Sequence, residues 1–87
     1  MTAGATIHIS SAVVSVLPQW RDEVLNALAA LPDIEIHQHD ARKIVIVMEA
    51  AESGTIGGRL AEIAGWQGVL SANMVFEQVE RSADIGD

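Results

Sequence analysis

The chain has 87 residues, 49% of them hydrophobic, and five Lys and Arg against twelve Asp and Glu give a formal net charge of −7. This length allows one small hydrophobic core, which excludes a large enzyme with a cleft between domains. The negative charge argues against nucleic acid as a partner, because phosphate binding depends on Lys and Arg. Cysteine is absent, which excludes disulfides and thiol chemistry. We expect a single domain over 1–87, with an ordered core over about 6–80 and a frayed acidic tail over 81–87.

The N-terminal region lacks the basic and apolar segments of a secretory signal. The longest purely apolar runs, such as 44–48, are far shorter than the roughly 20 residues that span a bilayer. A cytoplasmic protein without membrane insertion is therefore expected.

The first half of the chain predicts a strand followed by a helix. Residues 6–17 are rich in β-branched side chains and contain neither Gly nor Pro, which favours a strand. Pro18 suits the first turn of a helix that ends before Pro32. The apolar residues of this helix recur at helical spacing and predict one buried stripe: Trp20, Val24, Leu28 and Leu31.

The second half predicts a hairpin, a helix and a last strand. Residues 34–39 form a short edge strand, and 42–50 form a central strand that is apolar at both alternating positions. Ser53 is expected to cap a second helix that ends before Gly65 and has one apolar face. That face consists of Ile56, Leu60 and Ile63. Residues 69–80 form the last strand.

The order strand, helix, strand, strand, helix, strand predicts an α+β, ferredoxin-like βαββαβ sandwich. Right-handed crossovers interleave the two halves into a four-stranded antiparallel sheet of order 4-1-3-2, with both helices on one face. The other face of the sheet is then uncovered. Side chains alternate between the two faces along each strand, so each strand residue can be assigned to one of them.

The positions assigned to the helix side are Ala12, Val14, Val16, Ile34, Ile36, Ile44, Ile46, Met48, Ala72, Met74 and Phe76. The positions assigned to the uncovered side are Ser11, Val13, Ser15, Glu35, His37, Val45, Val47, Glu49, Ser71, Asn73, Val75 and Glu77. The second set has valines in its middle and hydroxyl, amide and carboxylate groups around them. Such a surface suits a partner with an apolar body and cationic ends.

Catalytic and metal-binding functions find little support in the sequence. His37 and His39 are two residues apart on one strand, but two imidazoles on an exposed edge make an incomplete metal site. No nucleophile, base and orienting group stand at a convincing spacing, so we expect neither an enzyme nor a cofactor. Trp20 and Trp66 are interpreted as core residues.

Four segments of the chain together resemble the NapD family, small cytoplasmic chaperones that mature the periplasmic nitrate reductase. They are SAVV at 11–14, ALAALPDIEI at 27–36, IVIVMEA at 44–50 and GVLSANMVFEQVE at 68–80. The chain departs from the family's pattern in its glycine-rich second helix and at Asp33, where the family commonly has Gly.

The resemblance implies that the uncovered face binds the twin-arginine (Tat) signal peptide of the molybdenum-containing catalytic subunit. Covering this peptide would hold back export until the molybdenum cofactor is inserted. The peptide-binding residues would be Ser11, Val13, Ser15, Glu35, Val45, Val47, Glu49, Ser71, Asn73, Val75 and Glu77. Glu35, Glu49 and Glu77 would bind the arginines, and the valines would form an apolar floor.

Two other functions stay open at this point. Many ferredoxin-like sandwiches are small-ligand-sensing regulatory domains, although these work with a linked catalytic or DNA-binding domain. A metal carrier that uses His37 and His39 is the less favoured alternative.

Overall fold

The computed structural model describes residues 6–81, so the predicted frayed tail lies outside the described residues from position 82 onward. The strands are β1 (Thr6–Val16), β2 (Ile34–His39), β3 (Lys43–Ala50) and β4 (Val69–Arg81), and the helices are α1 (Arg21–Ala29) and α2 (Ser53–Ala64). The sheet order is β2-β3-β1-β4, with antiparallel neighbours throughout. The predicted ferredoxin-like fold is confirmed, and β4 extends one residue beyond its predicted end.

The core lies between one side of the sheet and the two helices. Burial alternates along β1 and β3, because every second side chain points toward the helices. The buried apolar residues are Ala12, Val14, Val16, Val24, Leu28, Ile44, Ile46, Met48, Ile56, Leu60 and Ile63. Trp20, Ile34, Ile36, Trp66 and Ala72 are partly buried against them, as predicted. We call this side of the sheet the helix face and the other side the uncovered face.

The helices begin differently from each other. Pro18 opens a short 3₁₀ turn, Pro18–Trp20, that leads directly into α1, whose first turn carries Asp22 and Glu23. Acidic side chains complement the positive end of the helix dipole. The residue before α2 is Glu52, in an extended conformation, and Ser53 is the first helical residue. The predicted role of Ser53 as the cap is therefore wrong.

Asp40 fixes the connection between β2 and β3. Its Oδ1 accepts hydrogen bonds from the backbone N–H groups of Arg42 and Lys43, each 2.8 Å long. These bonds favour the charged carboxylate and hold the pKa of Asp40 below its ordinary value. An Asp side chain that closes a turn in this way positions β2 next to β3.

An ion-pair cluster joins α2 to the start of β2. Arg59 donates from Nε and Nη2 to the two carboxylate oxygens of Asp33 at 3.1 and 3.0 Å, and from Nη1 to Glu62 at 2.9 Å. The pKa of Arg59 is raised chiefly by its hydrogen bonds to Asp33. Because the pair is bidentate and partly buried, it restrains the angle between helix and sheet more strongly than a fully solvated pair would.

Replacing Arg59 by Met is expected to lower the free energy of unfolding by about 1 to 2 kcal/mol, because Asp33 loses its hydrogen-bonded partner. Urea titration followed by circular dichroism measures this loss. The matched control is Arg21→Met, which removes a contact with the exposed carboxylate of Asp22 and should change stability by less than about 0.5 kcal/mol. Equal effects of the two substitutions would contradict a stabilising role of the Asp33 pair.

Candidate functional site

Strand pairing defines the middle of the uncovered face. Residues that lie directly opposite each other on antiparallel strands share a face. Val13 on β1 lies opposite Val45 on β3 and Asn73 on β4, and Val45 lies opposite Gln38 on β2. This row crosses all four strands, with two half-buried valines at its centre.

The next row toward the start of β1 contains both acidic and aromatic groups. Ser11 lies between Val47 on β3 and Phe76 on β4, and Val47 lies opposite the exposed Glu35. The row therefore has a carboxylate at its β2 end, small and apolar residues in its middle, and an aromatic ring at its β4 end.

The structure places most of the predicted binding residues on the uncovered face. On β1, β2 and β3 the predicted assignment holds for Ser11, Val13, Ser15, Glu35, Val45, Val47 and Glu49. On β4 it holds for Ser71 and Asn73, which lie opposite Ser15 and Val13. Their part in binding stays a prediction.

Val75 lies at an irregularity in the pairing of β4 with β1, and Glu77 lies beyond it. Val75 is the extra residue of a β-bulge, because consecutive residues of β1, Ser11 and Ala12, pair with Phe76 and Met74. A bulge shifts the alternation of side chains by one residue beyond it. The assignment of every later residue of β4 to a face is consequently reversed.

Glu77 lies on the helix face as a result. Its partner on β1 is Ser10, which is fully buried, and its carboxylate lies 3.7 Å from Nδ1 of His8. The hydroxyl of Ser10 and Nδ1 of His8 are buried without a hydrogen-bond partner within the described part of the chain. The prediction that Glu77 contributes to the uncovered face is therefore wrong, and its carboxylate lies beside these polar groups instead.

The same bulge overturns the predicted burial of Phe76. This side chain lies opposite Ser11 on the uncovered face and is 57% exposed. Met74 lies opposite Ala12 on the helix face, as predicted, but is 41% exposed because β4 is an edge strand that the helices cover incompletely. Neither residue belongs to the core.

A second bulge affects the two histidines of β2. Ile36 and Gln38 pair with the consecutive residues Ile46 and Val45, so His37 is the extra residue and Gln38 takes its predicted place on the uncovered face. The expectation that His37 and His39 share one face rested on strict alternation, which the bulge breaks. Among residues 6–81 there is no group of three or more His, Asp or Glu side chains that could hold a metal ion.

Charge on the uncovered face is unevenly distributed. Glu35 and Glu49 are both exposed and line a cleft at the β2–β3 side, together with Pro32, Asp33, Ile34 and Val47. At the opposite end of β3, Lys43 lies opposite Ser15. Exposed carboxylates beside an apolar surface can form charge-assisted hydrogen bonds with a guanidinium or ammonium group.

Several residues of the uncovered face are not among those predicted from the sequence. Ile7 and Ile9, which lie opposite Glu80 and Gln78, extend the apolar floor toward the start of β1. The alternation that identifies Ser11 and Val13, continued backward along β1, would have found both isoleucines. Phe76 and Gln38 had no such signal, because each owes its position to a bulge without Gly or Pro.

None of the helices within the described residues is long and apolar enough to cross a membrane.

A family model and a known relative identify the same protein family for this chain. Residues 7–81 match the family model described as NapD protein. The chaperone NapD of Paracoccus pantotrophus is 41% identical over 73 residues, which are 84% of this chain and 65% of that protein. The chain thus spans less than two thirds of the length of this relative.

Solved structures agree with this result. The solution structure of the E. coli Tat proofreading chaperone NapD superposes with a TM-score of 0.74 at 26% identity, over 83% of this chain and 78% of that one. A transcriptional regulatory protein of the AsnC family from Pyrococcus furiosus has a TM-score of 0.60 at 17% identity, over 85% of this chain and 49% of that one. The second likeness concerns the fold alone. The chain belongs to the NapD family.

Proposed function

We propose that this protein is a cytoplasmic, non-enzymatic chaperone that binds the Tat signal peptide of the catalytic subunit of the periplasmic nitrate reductase. Bound peptide would be hidden from the export machinery, which would hold the precursor back until its molybdenum cofactor is inserted. The two NapD proteins named above are chaperones, and the one from E. coli is a Tat proofreading chaperone.

The observation that carries the proposal is an apolar floor with carboxylates at one side of an otherwise uncovered sheet. Val13, Val45 and Val47 are half-buried at its centre, and Glu35 and Glu49 stand exposed beside them. A twin-arginine signal peptide combines an arginine pair with an apolar segment, and the two parts match these two regions. The net charge of −7 adds a long-range attraction for a basic peptide.

Isothermal titration calorimetry with a synthetic signal peptide of the nitrate reductase precursor tests the proposal. At low salt we expect binding with a dissociation constant of tens of micromolar or below, and weaker binding at about 1 M salt, where the Debye length falls to about 3 Å. Glu49→Gln should weaken binding by about threefold to tenfold, because one charge-assisted contact is lost.

Two controls separate specific binding from general attraction. A peptide in which Gln replaces both arginines should lose the sensitivity to Glu49→Gln. Asp22→Gln removes an exposed carboxylate from α1, on the other side of the sheet, and should leave the affinity within about twofold. The absence of binding by the wild-type protein at low salt would refute the proposed function.

A further inference from the structure

We infer that Phe76 anchors the apolar segment of the bound signal peptide, and that the peptide crosses the strands with its arginine pair over β2 and β3. The inference rests on the function proposed above and adds an orientation and an anchoring side chain to it. Phe76 is the only phenylalanine of the chain, and the bulge at Val75 places it on the uncovered face.

β4 exposes several large apolar side chains. The exposed large hydrophobic residues of the described chain all lie on this strand: Leu70, Met74, Val75, Phe76 and Val79. Two of them, Met74 and Val79, lie opposite Ala12 and His8 on the helix face. Phe76 differs from these two residues, because its partner on β1, Ser11, lies on the uncovered face.

The apolar surface of the uncovered face continues from β3 across β1 to Phe76. Phe76, Ser11 and Val47 lie side by side on three neighbouring strands, and the small Ser11 leaves room above it between the two larger side chains. Ile9 and Val13 flank Ser11 along β1 on the same face. An apolar segment that rests on Val47 can therefore also contact the ring of Phe76. Aromatic side chains at such positions contribute disproportionately to binding.

The charged end and the aromatic end of this row lie on the two outer strands of the sheet. Glu35 and Phe76 are separated by three strand spacings of about 4.8 Å each, which is about 14 Å. A helix rises about 1.5 Å per residue, so about nine residues of helical peptide would cover that distance. The arginine pair would then lie near Glu35 and Glu49, and the apolar residues about two and a half turns later would reach Phe76.

A third carboxylate makes the orientation testable. Glu80 lies opposite Ile7 at the same end of the sheet as Glu49 but on β4, and its Oε2 accepts a hydrogen bond of 3.0 Å from Nε2 of Gln78. A peptide that ran along β4 would place its arginines near Glu80. A peptide that crosses the strands would use Glu49.

The experiment measures the affinity of the signal peptide for the full-length protein and its variants by calorimetry. Phe76→Ala should weaken binding by about tenfold or more. Val79→Ala is the matched control, since Val79 is also on β4 and 52% exposed but lies on the helix face, and it should change affinity less than twofold. Thermal unfolding of both variants verifies that they are folded. Glu49→Gln should weaken binding more than Glu80→Gln does.

A shortened peptide that ends soon after the arginine pair provides a second test of the anchor. It should bind more weakly, and Phe76→Ala should no longer affect its affinity, whereas Glu49→Gln still should. If the wild-type protein binds the full peptide and Phe76→Ala binds it equally well, Phe76 is not the anchor. A larger effect of Glu80→Gln than of Glu49→Gln would overturn the crossing orientation. Failure of the wild-type protein to bind at all would instead refute the proposed function.

Discussion

Replacing Gly68 by Ala is expected to lower the midpoint of thermal unfolding by about 12 to 24 °C, corresponding to a loss of about 3 kcal/mol for a domain of this size. Gly68 lies in the turn between α2 and β4, where its φ angle is +88°, a conformation that residues with a Cβ atom rarely adopt. A Cβ at this position would clash with Cβ and Cγ of Trp20. Cβ of Trp20 is attached to the backbone, so a change of rotamer cannot relieve the clash.

The clash affects more than one turn. The carbonyl of Gly68 accepts a hydrogen bond of 2.9 Å from the backbone N–H of Leu17, which ties the end of β1 to the start of β4. Trp20 belongs to the 3₁₀ turn before α1 and packs against the core together with Trp66. Displacing Trp20 therefore disturbs the helix start, the turn and the core at once.

Gly58→Ala is the matched control for this substitution. Gly58 lies inside α2, and no atom lies within 4 Å of the position that a Cβ would occupy. Alanine at this site should stabilise the domain by up to about 1 kcal/mol, because it favours the helix. Differential scanning calorimetry of the two variants should give shifts of opposite sign. A midpoint for Gly68→Ala that equals the wild-type value would contradict the close approach of Trp20.

The fold could be predicted because changes of hydrophobic period coincide with turn residues in this chain. Pro18, Pro32, Asp40 and Gly65 mark most of the boundaries between elements, and helical spacing in α1 and α2 contrasts with alternation in β1. Once the order of elements is known, the handedness of the crossovers leaves few topologies. Alternation then divides the residues of β1 and β3 between the two faces of the sheet.

The uncovered face could be predicted on the outer strands only as far as the bulges at His37 on β2 and Val75 on β4. Alternation has a period of two, so one extra residue reverses every later assignment on that strand. The bulges at His37 and Val75 carry neither Gly nor Pro, and they depend on how β2 and β4 pair with the central strands. Nothing in the local sequence of β4 distinguishes Phe76 as an exposed residue or Glu77 as a residue of the helix face.

Asp33 and the glycine-rich helix α2 are neighbours in space. Asp33 accepts two of the three side-chain hydrogen bonds of Arg59, which lies in the glycine-rich helix α2 directly after Gly58. Glycines lower the helix propensity of α2, and the ion pair holds this helix to the start of β2. Asp33 is already hydrogen-bonded to Arg59. Glu35 and Glu49 are therefore the carboxylates of the adjacent cleft that can bind a new cation.

Replacing Val47 by Asp is expected to weaken binding of the signal peptide by about a hundredfold or more, because a carboxylate at the centre of the floor would be buried against an apolar segment. Val47 is half-buried on the uncovered face, between Glu35 and Ser11. The fold should survive, because the side chain remains hydrated when no peptide is bound. The cost in stability should be about 1 kcal/mol, from the lower strand propensity of Asp and its position opposite Glu35.

The adjacent residue provides the decisive control. Ile46 precedes Val47 in β3 but points to the helix face and is fully buried. Ile46→Asp should lower the free energy of unfolding by about 3 to 5 kcal/mol or more, because it leaves a charge without a partner in the core. Circular dichroism melts should therefore separate the two variants before any peptide is added.

The outcome depends on binding and stability together. A folded Val47→Asp variant that no longer binds the peptide, beside an unfolded Ile46→Asp variant, would locate the binding surface on the uncovered face. A folded Val47→Asp variant with wild-type affinity would exclude the centre of that face as the site. In that case the carboxylates of Glu35 and Glu49 would have to be explained as a solvated rim, since exposed acidic groups without a partner mainly favour solubility.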